Sequence, residues 1–204
     1  MTEAKIFVEG GGPGLDTRCR EGVTKLLDKC GFTGRLPRIV ACGSRNQAYD
    51  DFSAEHKRGV TAFVALLVDS EEPVVDNYET WAHLKARDKW DCPAGATDAQ
   101  VFLMTTCMET WIIADQAGLK RHYERHKRCV HPAGLPASAN LETQDRHNIQ
   151  NALITATRDC SNAYEKNERS YEAFANVDPA VLRKVLPAFD RMVLILERRL
   201  PTRR

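Results

Sequence analysis

Two apolar runs in this chain stop abruptly at carboxylates. Ile6-Phe7-Val8 ends in Glu9 and then three glycines, Gly10, Gly11 and Gly12, while Ala65-Leu66-Leu67-Val68 ends in Asp69, Ser70 and Glu71. Buried parallel strands read as short, continuous apolar runs, and ligand chemistry in such sheets sits just past their carboxyl ends. Side chains two apart on a strand share a face, so Asp69 and Glu71 are expected to look at one point. Glu9 joins them if the first and third strands are neighbours. Three carboxylates together suit a hard cation such as Mg2+ or Mn2+, which takes oxygen ligands and keeps several waters. Such an ion polarises a phosphodiester and lowers the pKa of a water nucleophile. Glycines 10 to 12 let a phosphate approach the main chain, and a helix N-terminus after them favours an anion. The ligand-free alternative is that acids cap strand ends and face solvent, with the glycines making a turn. The glycine run has neither the Gly-Lys-Ser/Thr ending of a Walker loop nor the spacing of a dinucleotide fingerprint.

Elements able to position these residues follow from periodicity. Residues 5–9 read as the first strand, and 16–30 as a helix with Val23, Leu26, Leu27 and Cys30 on one face and Gly31 as its stop. Residues 38–42 are a second strand, 46–58 a polar helix, and 61–69 the third and most apolar strand. The order β-α-β-α-β is that of a parallel, doubly wound sheet. Residues 73–100 carry Trp81, Trp90, Pro93 and Gly95 and are long for a connection, so they form either a functional loop or a small subdomain. A fourth strand over 101–107 and a helix over 109–125 come next. A proline-containing linker covers 129–140, and helices cover 141–158, 171–175 and 187–199. The expected organisation is an α/β core over 1–128 and a helical extension over 129–204 packed on it, one domain overall.

Composition narrows the classes. The chain has 204 residues with 29 basic against 28 acidic side chains, so any attraction to nucleic acid must come from a local patch. No apolar run approaches the length of a membrane span, and the N-terminus reads directly into a strand without a signal peptide. Seven cysteines without a Cys-x-x-Cys pair fit reduced cytoplasmic thiols better than a disulfide framework.

The wider text is more specific. Val8-Glu9-Gly10-Gly11-Gly12, the stretch from Pro37 to Arg45, Ala48-Tyr49-Asp50, Leu66 to Glu71, and Cys107-Met108-Glu109-Thr110-Trp111 with Ala114-Asp115 resemble a bacterial TOPRIM-like (topoisomerase–primase) family. Its members carry only a domain-of-unknown-function label and often sit beside AAA-type ATPase genes. The resemblance implies a Rossmann-type core with a mainly parallel sheet and metal-dependent cleavage of nucleic acid. It is related to the overcoming-lysogenization-defect nucleases. It implies Glu9, Asp69 and Glu71 as magnesium ligands, with Glu9 as a general acid/base. It further implies Glu109 at the head of a later helix and Lys166 as a charge-stabilising lysine. Two positions depart from the nuclease pattern. Pro13 stands where an Asp usually follows the Glu by four residues, with Asp16 the nearest substitute. Glu71 stands where the strand-three pair ends in Asp.

A basic stripe follows, with Lys120, Arg121, Arg125, Lys127 and Arg128 around Tyr123. It is either a phosphate-gripping surface or a solvated face. His122, His126, Cys129 and His131 lie in the same stretch, but no matching pair completes a tetrahedron and no zinc is expected. The leading expectation is a magnesium-dependent nuclease of DNA or RNA. The resemblance adds an AAA-type ATPase partner and a role in bacterial defence against phage or plasmids. The alternatives are a catalytically silent regulatory subunit of such an ATPase and a small-molecule phosphate-handling enzyme. Oligomeric state is left open, a homodimer included.

Overall fold

The computed structural model describes residues 4–124, 127–166 and 168–200. Strand β1 (Ala4–Val8) leads through the glycine turn to helix α1 (Asp16–Leu27), and then come β2 (Arg38–Ala41), α2 (Arg45–Arg58) and β3 (Phe63–Asp69). Helix α3 (Thr80–Asp88) precedes β4 (Val101–Met104). Helices α4 (Met108–Ala114), α5 (Gln116–Tyr123), α6 (Arg146–Thr157), α7 (Glu168–Asn176), α8 (Pro179–Val185) and α9 (Pro187–Arg199) follow. All four strands are parallel, in the order β2-β1-β3-β4. The connection from β1 leads to one side of the sheet and that from β3 to the other, so β1 and β3 flank a topological switch point.

Strand pleat divides the core into two layers. Ile6, Val8, Ala65, Leu67, Phe102 and Met104 face α1 and the C-terminal helices. Phe7, Val64, Leu66, Val68, Val101 and Leu103 face α2 and α3, where Ala48, Phe52, Trp81 and Leu84 cover them. β3 is buried along its whole length, which is why it reads as an unbroken apolar run. Helix α7 lies along α1, and α9 packs on β4. Among the described residues no helix is long and apolar enough to cross a membrane.

Several expected elements are redrawn, each for a local reason. The helix expected over 16–30 ends at Leu27 and passes into a wide turn, Asp28–Phe32, where Gly31 takes φ 87°. The helix expected over 109–125 breaks at Asp115, whose carboxylate accepts the Gly118 N–H at 2.8 Å and starts α5. The long loop expected over 73–100 contains α3. The helix expected from 141 begins at Arg146, because Asp145 caps the N–H groups of His147 and Asn148. Helix α8 was not expected, although Asp178-Pro179 is a start signal: Asp178 accepts the Ala180 N–H, and proline fits the first turn. The reduced-thiol expectation is corrected for one pair. Cys129 and Cys160 form a disulfide, while Cys19, Cys30, Cys42, Cys92 and Cys107 are free. Their separation of 31 residues hides the pairing in the sequence.

Candidate metal centre

The carboxylates at the switch point converge. One oxygen each from Glu9, Asp69 and Glu71 lie within 4.8 Å of one another. Pleat parity explains how two of them meet. Glu9 continues the row of Phe7, on the α2 side, and Asp69 continues the row of Ala65 and Leu67, on the side of the C-terminal helices. They therefore approach the shared strand ends from opposite faces. The Asp69 N–H donates to Glu9 Oε2 at 3.2 Å. Glu71 arrives differently from the expected strand pairing. β3 ends at Asp69, and Glu71 adopts φ 69°, with its N–H donating to the Thr106 carbonyl at 2.8 Å. A non-glycine residue there costs on the order of 1 kcal/mol. The left-handed turn, rather than the pleat, aims its side chain back at the cluster.

Three arginines surround the acids. Arg45, at the start of α2, donates to Glu9 at 3.1 Å and grips Asp88 through Nε at 3.0 Å and Nη2 at 2.7 Å. It also donates to the Asp69 carbonyl, and its guanidinium lies 5.0 Å from the Trp90 ring, which stacks on Tyr49. Arg87 Nη2 sits 3.3 Å from Glu71 Oε2, and Arg146 contacts the same oxygen.

Asp69 is the unbalanced member. The residue is 7% exposed, and its Oδ1 has no hydrogen-bond partner among the described residues. Burial first, then the nearby charges of Glu9 and Glu109, push its carboxyl well above the usual range, against the pull of Lys166 and Arg45. Glu109 lies beneath, fully buried, and accepts the Tyr164 hydroxyl at 2.5 Å and Gln150 Nε2 at 3.5 Å. A cavity of about 230 Å³ opens beside Asp69, with Glu9, Gly10, Gly11, Lys166 and Tyr171 in its wall.

The donor set fits a hard divalent cation: three carboxylates, one with a buried and unpaired oxygen, beside a cavity able to hold water. The glycine turn is more fully engaged than its sequence suggests. The Gly10 N–H donates to the Gly43 carbonyl, that of Gly11 to the Tyr171 hydroxyl at 2.8 Å, and that of Gly12 to Asp16 at 2.6 Å. A phosphate bound there would have to displace these partners. A side chain at Gly10 would meet the Tyr171 hydroxyl at 2.5 Å, so the residue is fixed by this close approach as well as by φ 127°.

Other sequence candidates lie apart from the cavity. Lys120 and Arg128 line a separate pocket with His131, and Lys127 lines another with Arg158 and Asp159. Arg121 reaches Asp115 at 3.5 Å. None of these four basic residues lines the carboxylate cavity. Arg125 and His126 lie outside the described residues. His131 meets Asp159 at 2.6 Å, His122 meets Asn176 at 3.2 Å, and Cys129 is disulfide-bonded.

Sequence reading missed Arg45, Arg146 and Tyr171, and left Arg87 and Asp88 undecided between a catalytic and a structural role in the segment after β3. Arg87 and Asp88 had a signal, since their segment leaves the carboxyl end of β3. Arg146 and Tyr171 had none, because they come from helices far along the chain.

A parallel, doubly wound sheet with an acidic cluster and a cavity at its switch point defines an α/β protein with a candidate cation centre. The chain belongs to the family DUF4276, a domain of unknown function, which matches residues 12–197. Glu9 lies just ahead of the matched span. No curated protein and no solved structure matches the chain.

Proposed function

We propose that the protein is a nuclease with a TOPRIM-like core that uses Mg2+ or Mn2+ to hydrolyse phosphodiester bonds in DNA or RNA. The reading includes an AAA-type ATPase partner and a role in bacterial defence against phage or plasmids, which rest on the sequence resemblance, and a cytoplasmic location, which rests on the N-terminal sequence and the cysteine pattern. The observation that carries the chemistry is the unpaired, buried Asp69 oxygen among three convergent carboxylates. Leaving such an oxygen unpaired costs about 1–3 kcal/mol, and a ligand at the cluster would repay it. Glu9, Asp69 and Glu71 would hold the cation, which when bound activates water and neutralises charge developing on phosphate.

The surrounding residues have separable parts in this reading. Asp88 orients Arg45, which in turn orients Glu9. Glu109 adds negative charge beneath Asp69 and is itself held by Tyr164. Lys166, across the cavity, supplies positive charge where a phosphate would lie. Nucleic acid would extend from the cavity toward the basic stripe. If it does, changing Lys127 and Arg128 to Gln flattens the salt dependence of binding by about one unit of slope per lost contact.

A second reading is a catalytically silent subunit of the ATPase. It is favoured by the arginines, which already neutralise Glu9 and Glu71. The deciding experiment measures Mg2+-dependent cleavage of DNA and RNA by the chain together with its copurifying ATPase. Wild type should cleave, and Asp69→Ala should lose activity by orders of magnitude while remaining folded. Equal cleavage by both would reject the site. Cation binding without cleavage would support the silent subunit.

A further inference from the structure

Two of the three arginines differ from the third. Arg45 is locked, with a side chain only 12% exposed, a bidentate grip on Asp88 and the Trp90 ring against it. Arg87 and Arg146 are half-buried and converge on one oxygen of one carboxylate, Glu71. They come from different elements, the last turn of α3 and the first residue of α6. Arg87 also contacts Asp88 through Nη1, yet two guanidinium groups meeting at a single carboxylate oxygen leave donors unused. A phosphate offers them more acceptor oxygens and more charge than Glu71 does.

We infer that Arg87 and Arg146 form a phosphate-binding pair, that Glu71 occupies it as an internal substitute, and that a cation at the carboxylate cluster frees it by drawing Glu71 away. The inference rests on reading that cluster as a cation site. Glu71 is shared between two claims: it is a candidate ligand of the cation and the present partner of both arginines. A cation and a phosphate then each release what the other needs, and their binding is cooperative. Linkage makes the coupling reciprocal, so each must tighten the other by the same factor. The acidic cluster in this way excludes a phosphate until the cation has arrived. Wild type without cation should bind phosphate poorly, because the arginines are already paired.

Calorimetry with inorganic phosphate and Mg2+ tests this. In wild type, saturating Mg2+ should tighten phosphate binding by about tenfold, and saturating phosphate should tighten Mg2+ by the same factor. Glu71→Gln keeps the shape of the side chain but frees Arg146 and leaves Arg87 only its Asp88 contact, so it should bind phosphate without Mg2+ about tenfold more tightly than metal-free wild type. Arg87→Gln combined with Arg146→Gln should lose phosphate binding and keep Mg2+ binding, and Arg146→Lys serves if the double variant does not fold. Phosphate affinity unchanged in Glu71→Gln, or retained in the double variant, overturns the pair. If wild type binds no Mg2+, the cation reading fails by itself. The metal-free comparison of Glu71→Gln with wild type still decides whether the arginines take phosphate.

Discussion

The backbone N–H of Asp69 donates to the Glu9 carboxylate at 3.2 Å, tying the residue that ends the third strand to the residue that follows the first. The bond exists because β1 and β3 are paired neighbours in parallel register, Val8 opposite Leu67. One consequence is that Glu9 is oriented from two sides, by this N–H and by Arg45. Asp69 has no such support for its own Oδ1.

That asymmetry makes Asp69→Asn stabilising in the absence of metal. The amide keeps the shape and removes a charge that burial and its acidic neighbours disfavour. Thermal melts in EDTA should give a higher Tm for Asp69→Asn than for wild type. Added Mg2+ should stabilise wild type by about 2.7 kcal/mol at a hundredfold excess over the dissociation constant, seen as a higher Tm, and leave the variant unmoved. A Mg2+-dependent rise in the variant would show that the ion binds elsewhere.

Arg45→Met should have the opposite effect on stability. It leaves Glu9 with the Asp69 N–H and Asp88 with Arg87 as their remaining partners, and both side chains are largely buried. Breaking a buried pair from one side costs about 3 kcal/mol or more. Urea denaturation should show a lower midpoint with little change in slope. A loss below about 0.5 kcal/mol would mark the pair as solvent-screened.

Glu142 gives a pH dependence remote from the candidate site. Burial pushes its carboxyl up from 4.5 to about 7, partly opposed by hydrogen bonds from the Ala188 N–H and the Asn77 side chain. The native state therefore keeps this proton up to about pH 7, while the unfolded chain releases it near 4.5. The stabilisation is full below 4.5 and is lost as pH rises through 7. The stability difference between wild type and Glu142→Gln should shift against wild type by about 3 kcal/mol from pH 4.5 to 8. A flat difference across that window would show that Glu142 is ionised when folded.

The Cys129–Cys160 bond closes a long loop around α6. Removing it should cost about 3–4 kcal/mol through the entropy of the unfolded chain. Reductant should lower the Tm of wild type and leave Cys129→Ser/Cys160→Ser unchanged. Thiol titration of the denatured protein should find five free thiols before reduction and seven after. Seven beforehand would mean that the bond does not form.

Much of the fold was legible because its signals are local. The apolar run at 63–69 is short and lies between helical patterns, as a strand buried on both faces does, and Ser44 and Gly59 mark the ends of α2 by capping. The less legible boundaries were at Asp115 and Asp145. There a carboxylate that looks like one more polar helix residue folds back onto backbone N–H groups and starts a new helix.

The amino-acid order by itself determined which acids stand at the ends of β1 and β3, because the apolar runs that must be buried end at them. It also determined that the sheet is parallel and doubly wound, through the alternation of short apolar runs with helical periods. Only the tertiary structure decided what surrounds those acids. Arg45, Arg87, Arg146, Lys166 and Tyr171 reach the site from four helices and a turn. Their proximity comes from how α2 and α3 pack on the sheet, α6 on α4 and α7 on α1, and packing between distant segments leaves no periodicity for a sequence to display. The same holds for Glu71, whose aim depends on a left-handed turn pinned to the Thr106 carbonyl on a neighbouring segment.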